Sequence, residues 1–242
     1  MLLAIPPFPS FSAALYCGMK TFFQYLHFFF YTTWHWNIGL AFFLLYLDIR
    51  GALRYDTRRT FAPVPLNRLT ITGGDPAHSS PYEAVNYYML EKLLLAFRRL
   101  SPQSSLVDLG CGKGRVMVVA AHLGFDRITG IDFARELCEE ATRNMKAVQQ
   151  DFPEMKWEVI HANVLGYAIR PQDSVFFMFN PFSEDTLHRF LDGLELSCRE
   201  YPRKTWFLYA APVHATALER RGYSVLYRHT LMNLKGMIFC KE

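Results

Sequence analysis

The sequence lacks the marks of several common chemistries. Its five cysteines (Cys17, Cys111, Cys138, Cys198 and Cys240) are scattered and form no CxxC pair. An odd, dispersed set argues against a disulfide framework and a zinc site, and fits a reducing compartment. The eight histidines show no HxH or HxxxH spacing, and no GxSxG elbow occurs, so neither a sequence-local metal pair nor a serine-hydrolase loop is written here. Repeats and low-complexity tracts are absent, which removes solenoids and fibrous architectures. Charge is sparse at 20%, but with 51% hydrophobic residues the chain is far from the composition of disorder. A net charge of +4 permits contact with an anionic membrane or nucleic acid but is too small to argue for either. The basic pairs Arg98-Arg99, Arg203-Lys204 and Arg220-Arg221 are spread along the chain like solvated charge.

The missing charge is concentrated at one end. Residues 1–47 hold one formal charge, Lys20, and 15 of the 38 aromatics. Residues 21–47 contain no Asp, Glu, Lys or Arg, and a run of ~20 apolar residues is long enough to span a bilayer as a helix. Its middle, Tyr31 to Asn37, is rich in Trp, Tyr, Thr and His, which prefer the headgroup level. A helix lying in the membrane surface therefore stays open beside a span, as does a segment that caps the soluble domain, lining a hydrophobic pocket or a dimer interface. Arg50, Arg54, Arg58 and Arg59 outnumber Asp48 and Asp56 just downstream, which by the positive-inside rule sets the C-terminal domain on the cytoplasmic side. Positions 1–19 carry no basic n-region, which argues against a cleaved secretory signal. Three regions are expected: an apolar helical segment over 1–50, a connector over 51–80, and a globular domain over 81–242.

In the connector, Pro63, Pro65, Gly73, Gly74 and Pro76 point to irregular backbone. Ser80-Pro81-Tyr82-Glu83 reads as a helix start with Ser80 as N-cap, Pro81 at the first helical position and Glu83 closing a capping box. That helix is expected to stop at Ser101-Pro102. Short apolar runs then alternate with amphipathic stretches: SLVDL (105–109), RITGI (127–131), KWEVI (156–160), SVFFMF (174–179) and KTWFLYA. This alternation implies a doubly wound, mostly parallel α/β sheet covered by helices on both faces. The final runs, SVLYRHT and KGMIFCK, are joined only through Leu231 to Leu234. That connection is too short for a helical crossover, so one late antiparallel strand is expected, giving seven strands in all.

The strongest local signal is Asp108-Leu109-Gly110-Cys111-Gly112-Lys113-Gly114-Arg115, at the handover from the first strand to a helix. Glycines there let the backbone turn tightly and approach a ligand, and the helix start beyond offers free N–H groups. Asp132 closes the second strand, followed by Phe133, and an acid at that place reaches the hydroxyls of a ribose. A dinucleotide fingerprint would need glycine where Arg115 stands. Asp108 also puts a carboxylate where pyrophosphate would be repelled and a cationic ligand attracted. An NAD-dependent oxidoreductase is therefore the weaker reading, and a cofactor-binding scaffold without turnover is a further alternative.

VDLGCGKGR and ITGIDF resemble the first two motifs of the class I S-adenosylmethionine-dependent methyltransferases. GKGR together with Asn180-Pro181-Phe182 is similar to a bacterial-type group among them. The resemblance covers about residues 81–240. It implies a Rossmann-like fold with S-adenosyl-L-methionine as cofactor. It also implies Asp132 on the ribose, Asn163 and the next backbone N–H, that of Val164, at the adenine, and Tyr82 near the methionine end. Asp108, Gly110, Cys111, Gly112, Gly114 and Phe133 complete the expected cofactor site; Asn163 can equally serve a plain turn.

Asn180-Pro181-Phe182 falls at the carboxyl end of the fourth strand run, beside the crevice where open α/β sheets bind ligands. An amide side chain and a main-chain oxygen there can orient an amine for methylation, with Phe182 against a flat acceptor or the cofactor. The triplet resembles the [ND]PP[YFW] motif of amino-group methyltransferases without its second proline, so transfer to nitrogen is expected, or to oxygen. Strand-to-helix punctuation, with Ser183 as N-cap, is the alternative. The acceptor class stays open among small molecule, lipid and protein side chain.

Overall fold

A computed structural model describes residues 26, 38–55, 57, 60, 64, 69–70, 82–179 and 182–242. The chain divides into two units, Met1–Arg50 and Gly51–Glu242. Most of the apolar run over 21–37 lies outside the described residues. The helix that follows, α1 (Ile38–Arg54), has 17 residues. At ~1.5 Å per residue that is about 25 Å, short of a ~30 Å hydrocarbon core. Among the described residues no helix is long and apolar enough to cross a membrane.

The second unit is a seven-stranded sheet in the order β3-β2-β1-β4-β5-β7-β6. Its strands are β1 (Ser105–Leu109), β2 (Arg127–Asp132), β3 (Lys156–His161), β4 (Val175–Met178), β5 (Thr205–Ala210), β6 (Ser224–Leu231) and β7 (Leu234–Lys241). The first five pair in parallel. β7 runs antiparallel to β5 on one side and to β6 on the other, so the strand expected from the short Leu231–Leu234 connection is wedged between its neighbours.

The helices α2 (Tyr87–Leu100), α3 (Arg115–His122), α4 (Arg135–Val148), α5 (Glu184–Glu200) and α6 (Ala215–Arg220) cover the sheet. Successive strand residues point to opposite faces, and this alternation builds two cores. Phe177, Leu208 and Ile238 join Leu90, Phe97 and Val119 in one; Phe176, Phe207 and Phe239 join Leu191 and Leu218 in the other. Ser183 caps α5, as the alternative reading of the segment after β4 has it, its hydroxyl accepting from the Thr186 N–H.

The capping box expected at Ser80–Glu83 does not start α2. The cap is Asn86, whose side chain accepts from the Tyr88 N–H at 2.9 Å, and Glu83 lies before the helix in non-helical backbone. Tertiary contacts hold this stretch out of the helix. Tyr82 bridges to Val64, and the Val85 carbonyl accepts from Arg115 Nη1 at 2.9 Å. Gly51–Arg54, expected in the connector, complete α1 instead.

Candidate active site

From β1 the chain winds outward through β2 and β3, then returns to β4 on the other side of β1. The carboxyl ends of β1 and β4 therefore flank the reversal of winding, where open α/β sheets bind ligands. A cavity of about 250 Å³ lies there, lined by Asp108, Gly110, Cys111, Asp132, Phe133 and Tyr82 among others.

The glycine loop is fixed by backbone bonds. The N–H groups of Gly110 and Cys111 both reach the Ile131 carbonyl at 2.9 Å, and the Gly114 N–H reaches the Cys111 carbonyl at 2.8 Å. Gly112 and Gly114 have φ of 53° and 79°, a left-handed conformation that costs other residues about 1–2 kcal/mol. At Gly112 a side chain is excluded by space as well, because a Cβ would sit 2.2 Å from the Tyr82 ring. The Tyr82 hydroxyl donates to the Thr60 carbonyl at 2.7 Å, which fixes the ring that covers the loop at Gly112.

The two carboxylates differ. Asp132 accepts from the Gly112 N–H at 2.8 Å and the Ala134 N–H at 2.9 Å. Burial pushes its carboxyl up to about 6, although those two N–H groups pull the other way. Asp108 is 2% exposed, and its Oδ2 is buried with no hydrogen-bond partner among the described residues. Burial first, and the nearby Asp132 charge second, hold the Asp108 carboxyl well above the ordinary range. An unpaired buried acceptor costs about 1–3 kcal/mol. A cation or donor entering the cavity would relieve that cost, so the donor set fits a ligand carrying both positive charge and hydroxyls. The Cys111 thiol is also pushed well up by burial, which suits a packing role.

Five other expected positions are not among the residues that line the cavity. Gly112 and Gly114 act through the loop backbone behind the cavity. Asn163 and Val164 sit on the turn after β3, where the Asn163 side chain accepts from the Leu165 N–H at 2.9 Å. Phe182 packs against the core formed around Phe176 and Leu191. Asn180 and Pro181 lie outside the described residues.

Two basic residues that sequence reasoning left unassigned are buried. Arg115, 3% exposed, lines the cavity. Its Nε donates to Thr60 Oγ1 and its Nη1 to the Val85 carbonyl, both at 2.9 Å, and its guanidinium lies 4.2 Å from the Tyr87 ring centroid. Lys113 is buried too, with its Nζ 5.2 Å from the Tyr82 ring centroid. Phe177 and Phe179 of the β4 region form further lining. A GKGR string gives no sign of whether its cations face solvent or protein.

A family model described as a methyltransferase domain matches residues 106–199. This stretch contains β1, the glycine loop, Asp132 and β4. Over these residues the chain has the sequence pattern of a methyltransferase domain. Among curated proteins, the methyltransferase domain is similar to the ribosomal protein L11 methyltransferase of Burkholderia mallei, at 27% identity over 79 residues. That match takes in 29% of this chain and spans about a quarter, 26%, of the relative's length. Among solved structures, a putative methyltransferase of Escherichia coli aligns with a TM-score of 0.50 at 11% identity, covering 75% of this chain and 99% of that one. The methyltransferase domain of bacterial CtHen1 aligns with a TM-score of 0.50 at 16% identity, covering 64% and 99%. At these identities the likeness to the solved methyltransferases is one of fold.

Proposed function

We propose that this protein transfers a methyl group from S-adenosylmethionine to an amino nitrogen of its acceptor. The observation that carries the reading is the cavity at the carboxyl ends of β1, β2 and β4, lined by Asp132 and by Asp108, whose buried Oδ2 has no hydrogen-bond partner among the described residues. When bound, the cofactor supplies a methyl group already activated by a positive sulfur. Asp132 holds the ribose hydroxyls, Asp108 faces the cationic methionine end, and Gly110 with Gly112 lets the backbone approach. Tyr82 walls the methionine end, while Asn163 and Val164 are the candidates for the adenine. Holding acceptor and methyl donor in line can supply roughly 7–11 kcal/mol of barrier lowering, so positioning is the protein's main task.

The acceptor amine is assigned to Asn180-Pro181-Phe182. An amide oxygen and a main-chain oxygen accept two N–H bonds, which leaves the nitrogen lone pair free to attack. The uncharged aromatic run over 21–47 favours an amine carried by a membrane protein or lipid, and the relatives named for ribosomal protein L11 lend weight to a protein side chain. Labelled-methyl transfer into lysate and membrane extract of a deletion strain tests this. Acid- and base-stable label in one fraction is expected; base-labile ester label or no transfer would overturn it. Asn180→Ala should lower turnover on that fraction at least about tenfold while leaving cofactor affinity within about twofold. Equal loss of both would remove Asn180 from the acceptor site.

A further inference from the structure

One face of α1 is apolar and largely exposed. Ile38, Phe42, Tyr46, Ile49 and Leu53 are 58%, 59%, 61%, 42% and 66% exposed. At ~100° per residue these five fall within about 80° of one another on the helix surface, so they form one stripe along nearly the whole helix. Scattered exposed apolar residues are ordinary, but a continuous stripe on a soluble surface marks a contact. Arg50 and Arg54 stand on one flank of it, with exposed Phe43 between them in projection. Asp48, the helix's one acid, is buried, so the open face carries apolar and basic residues alone. The Arg54 guanidinium is half exposed and only loosely paired with Glu91, at 3.5 Å.

We infer that this stripe docks in the headgroup region of an anionic lipid surface, with α1 lying parallel to it. The charge pattern selects that occupant. An apolar face edged with arginine and free of exposed acid complements a negatively charged layer over an apolar one. The arginine stems can extend toward phosphate while the stripe sinks past it. The length of α1, too short to cross a bilayer, suits an in-plane helix. The preceding uncharged residues 21–37, with their Trp and Tyr, continue the same chemistry toward the N-terminus. This inference does not rest on methyl transfer and would hold for a protein that only binds its cofactor.

The test is vesicle flotation of the full-length chain, with phosphatidylcholine alone or mixed with phosphatidylglycerol. Wild type is expected to float with the anionic vesicles, and less at high salt. The triple variant Phe42→Ser, Tyr46→Ser, Leu53→Ser should lose at least on the order of a hundredfold in partitioning, because each apolar side chain contributes roughly tenfold. Arg50→Glu should lower binding roughly fivefold or more on anionic vesicles and little on neutral ones. These side chains are exposed, and an unchanged melting curve and S-adenosylmethionine affinity verify that the variants fold. The inference is overturned if wild type fails to float, or if the triple variant floats as well as wild type. It is equally overturned if the triple substitution instead turns an oligomer into a monomer in sedimentation velocity, which would make a second copy the occupant.

Discussion

Lowering the pH from 7 to 5 should weaken cofactor binding, and the size of the effect follows from the buried carboxylates. Burial raises Asp132 from its ordinary 3.8 to about 6. A ribose bound through its hydroxyls requires the carboxylate, so binding competes with protonation. From Asp132 alone the affinity for S-adenosylmethionine falls about tenfold between pH 7 and pH 5. Asp108, held well above the ordinary range by burial and by Asp132, acts in the same direction and is the carboxylate set to meet positive charge. Binding at pH 6 should therefore release roughly half a proton from Asp132, plus a share from Asp108. Isothermal titration in buffers of different ionisation enthalpy reads both quantities. S-adenosylhomocysteine, which lacks the sulfonium charge, should show the smaller pH effect. The same shift has a stability counterpart. The folded ligand-free protein binds the Asp132 proton more tightly than the unfolded chain does, so this group makes folding less favourable as pH rises from 3.8 to about 6, by about 3 kcal/mol. Affinity that is flat or tighter at pH 5, with no proton released, would refute this assignment of the two carboxylates.

Further variants separate the parts of the site. Asp132→Ala should raise the dissociation constant for S-adenosylmethionine more than about a hundredfold, since two charge-assisted bonds at roughly 1.5–3 kcal/mol each disappear; unchanged affinity in a calorimetric titration would take Asp132 off the ribose. Gly112→Ala meets both a φ of 53° and the Tyr82 ring 2.2 Å from the new Cβ. It should abolish measurable cofactor binding, whereas Gly112→Ala combined with Tyr82→Ala should recover part of it, and a fully active single variant would contradict the loop geometry. Arg115→Ala removes bonds to Thr60 and Val85 worth roughly 2–4 kcal/mol together, hence a melting point lower by roughly 5–15 °C. A change under about 2 °C would mean that the buried guanidinium does not tie the chain before α2 to the glycine loop.

The parts of the fold that local chemistry decides were readable from sequence. Asp108 to Arg115 forms a strand-to-helix turn because its glycines are needed there whatever surrounds them, and Asp132 follows at the end of the adjacent strand. The antiparallel direction of β7 followed from chain length between Leu231 and Leu234, which leaves no room for a crossover. Features set by distant contacts were not readable. Ser80 and Glu83 form a sound capping box on paper, yet the helix starts at Tyr87 because Tyr82 and Val85 are held by Val64, Thr60 and Arg115. Arg115 itself has no assignable place in the sequence until the partners that bury it are known. The stripe on α1 was masked for a different reason: a helix and a membrane span share the same apolar composition, and only the exposure of Phe42, Tyr46 and Leu53 beside buried Leu44 and Asp48 separates the faces.

The most direct measurement is competitive binding of labelled S-adenosylmethionine to the full-length protein, with S-adenosylhomocysteine and NAD as competitors, repeated on Asp108→Asn. Saturable binding displaced by S-adenosylhomocysteine but not by NAD, and weakened roughly tenfold or more by the neutral side chain, is the expected outcome. No saturable binding, displacement by NAD, or an affinity indifferent to Asp108 would contradict the assignment of the cavity to a sulfonium nucleoside.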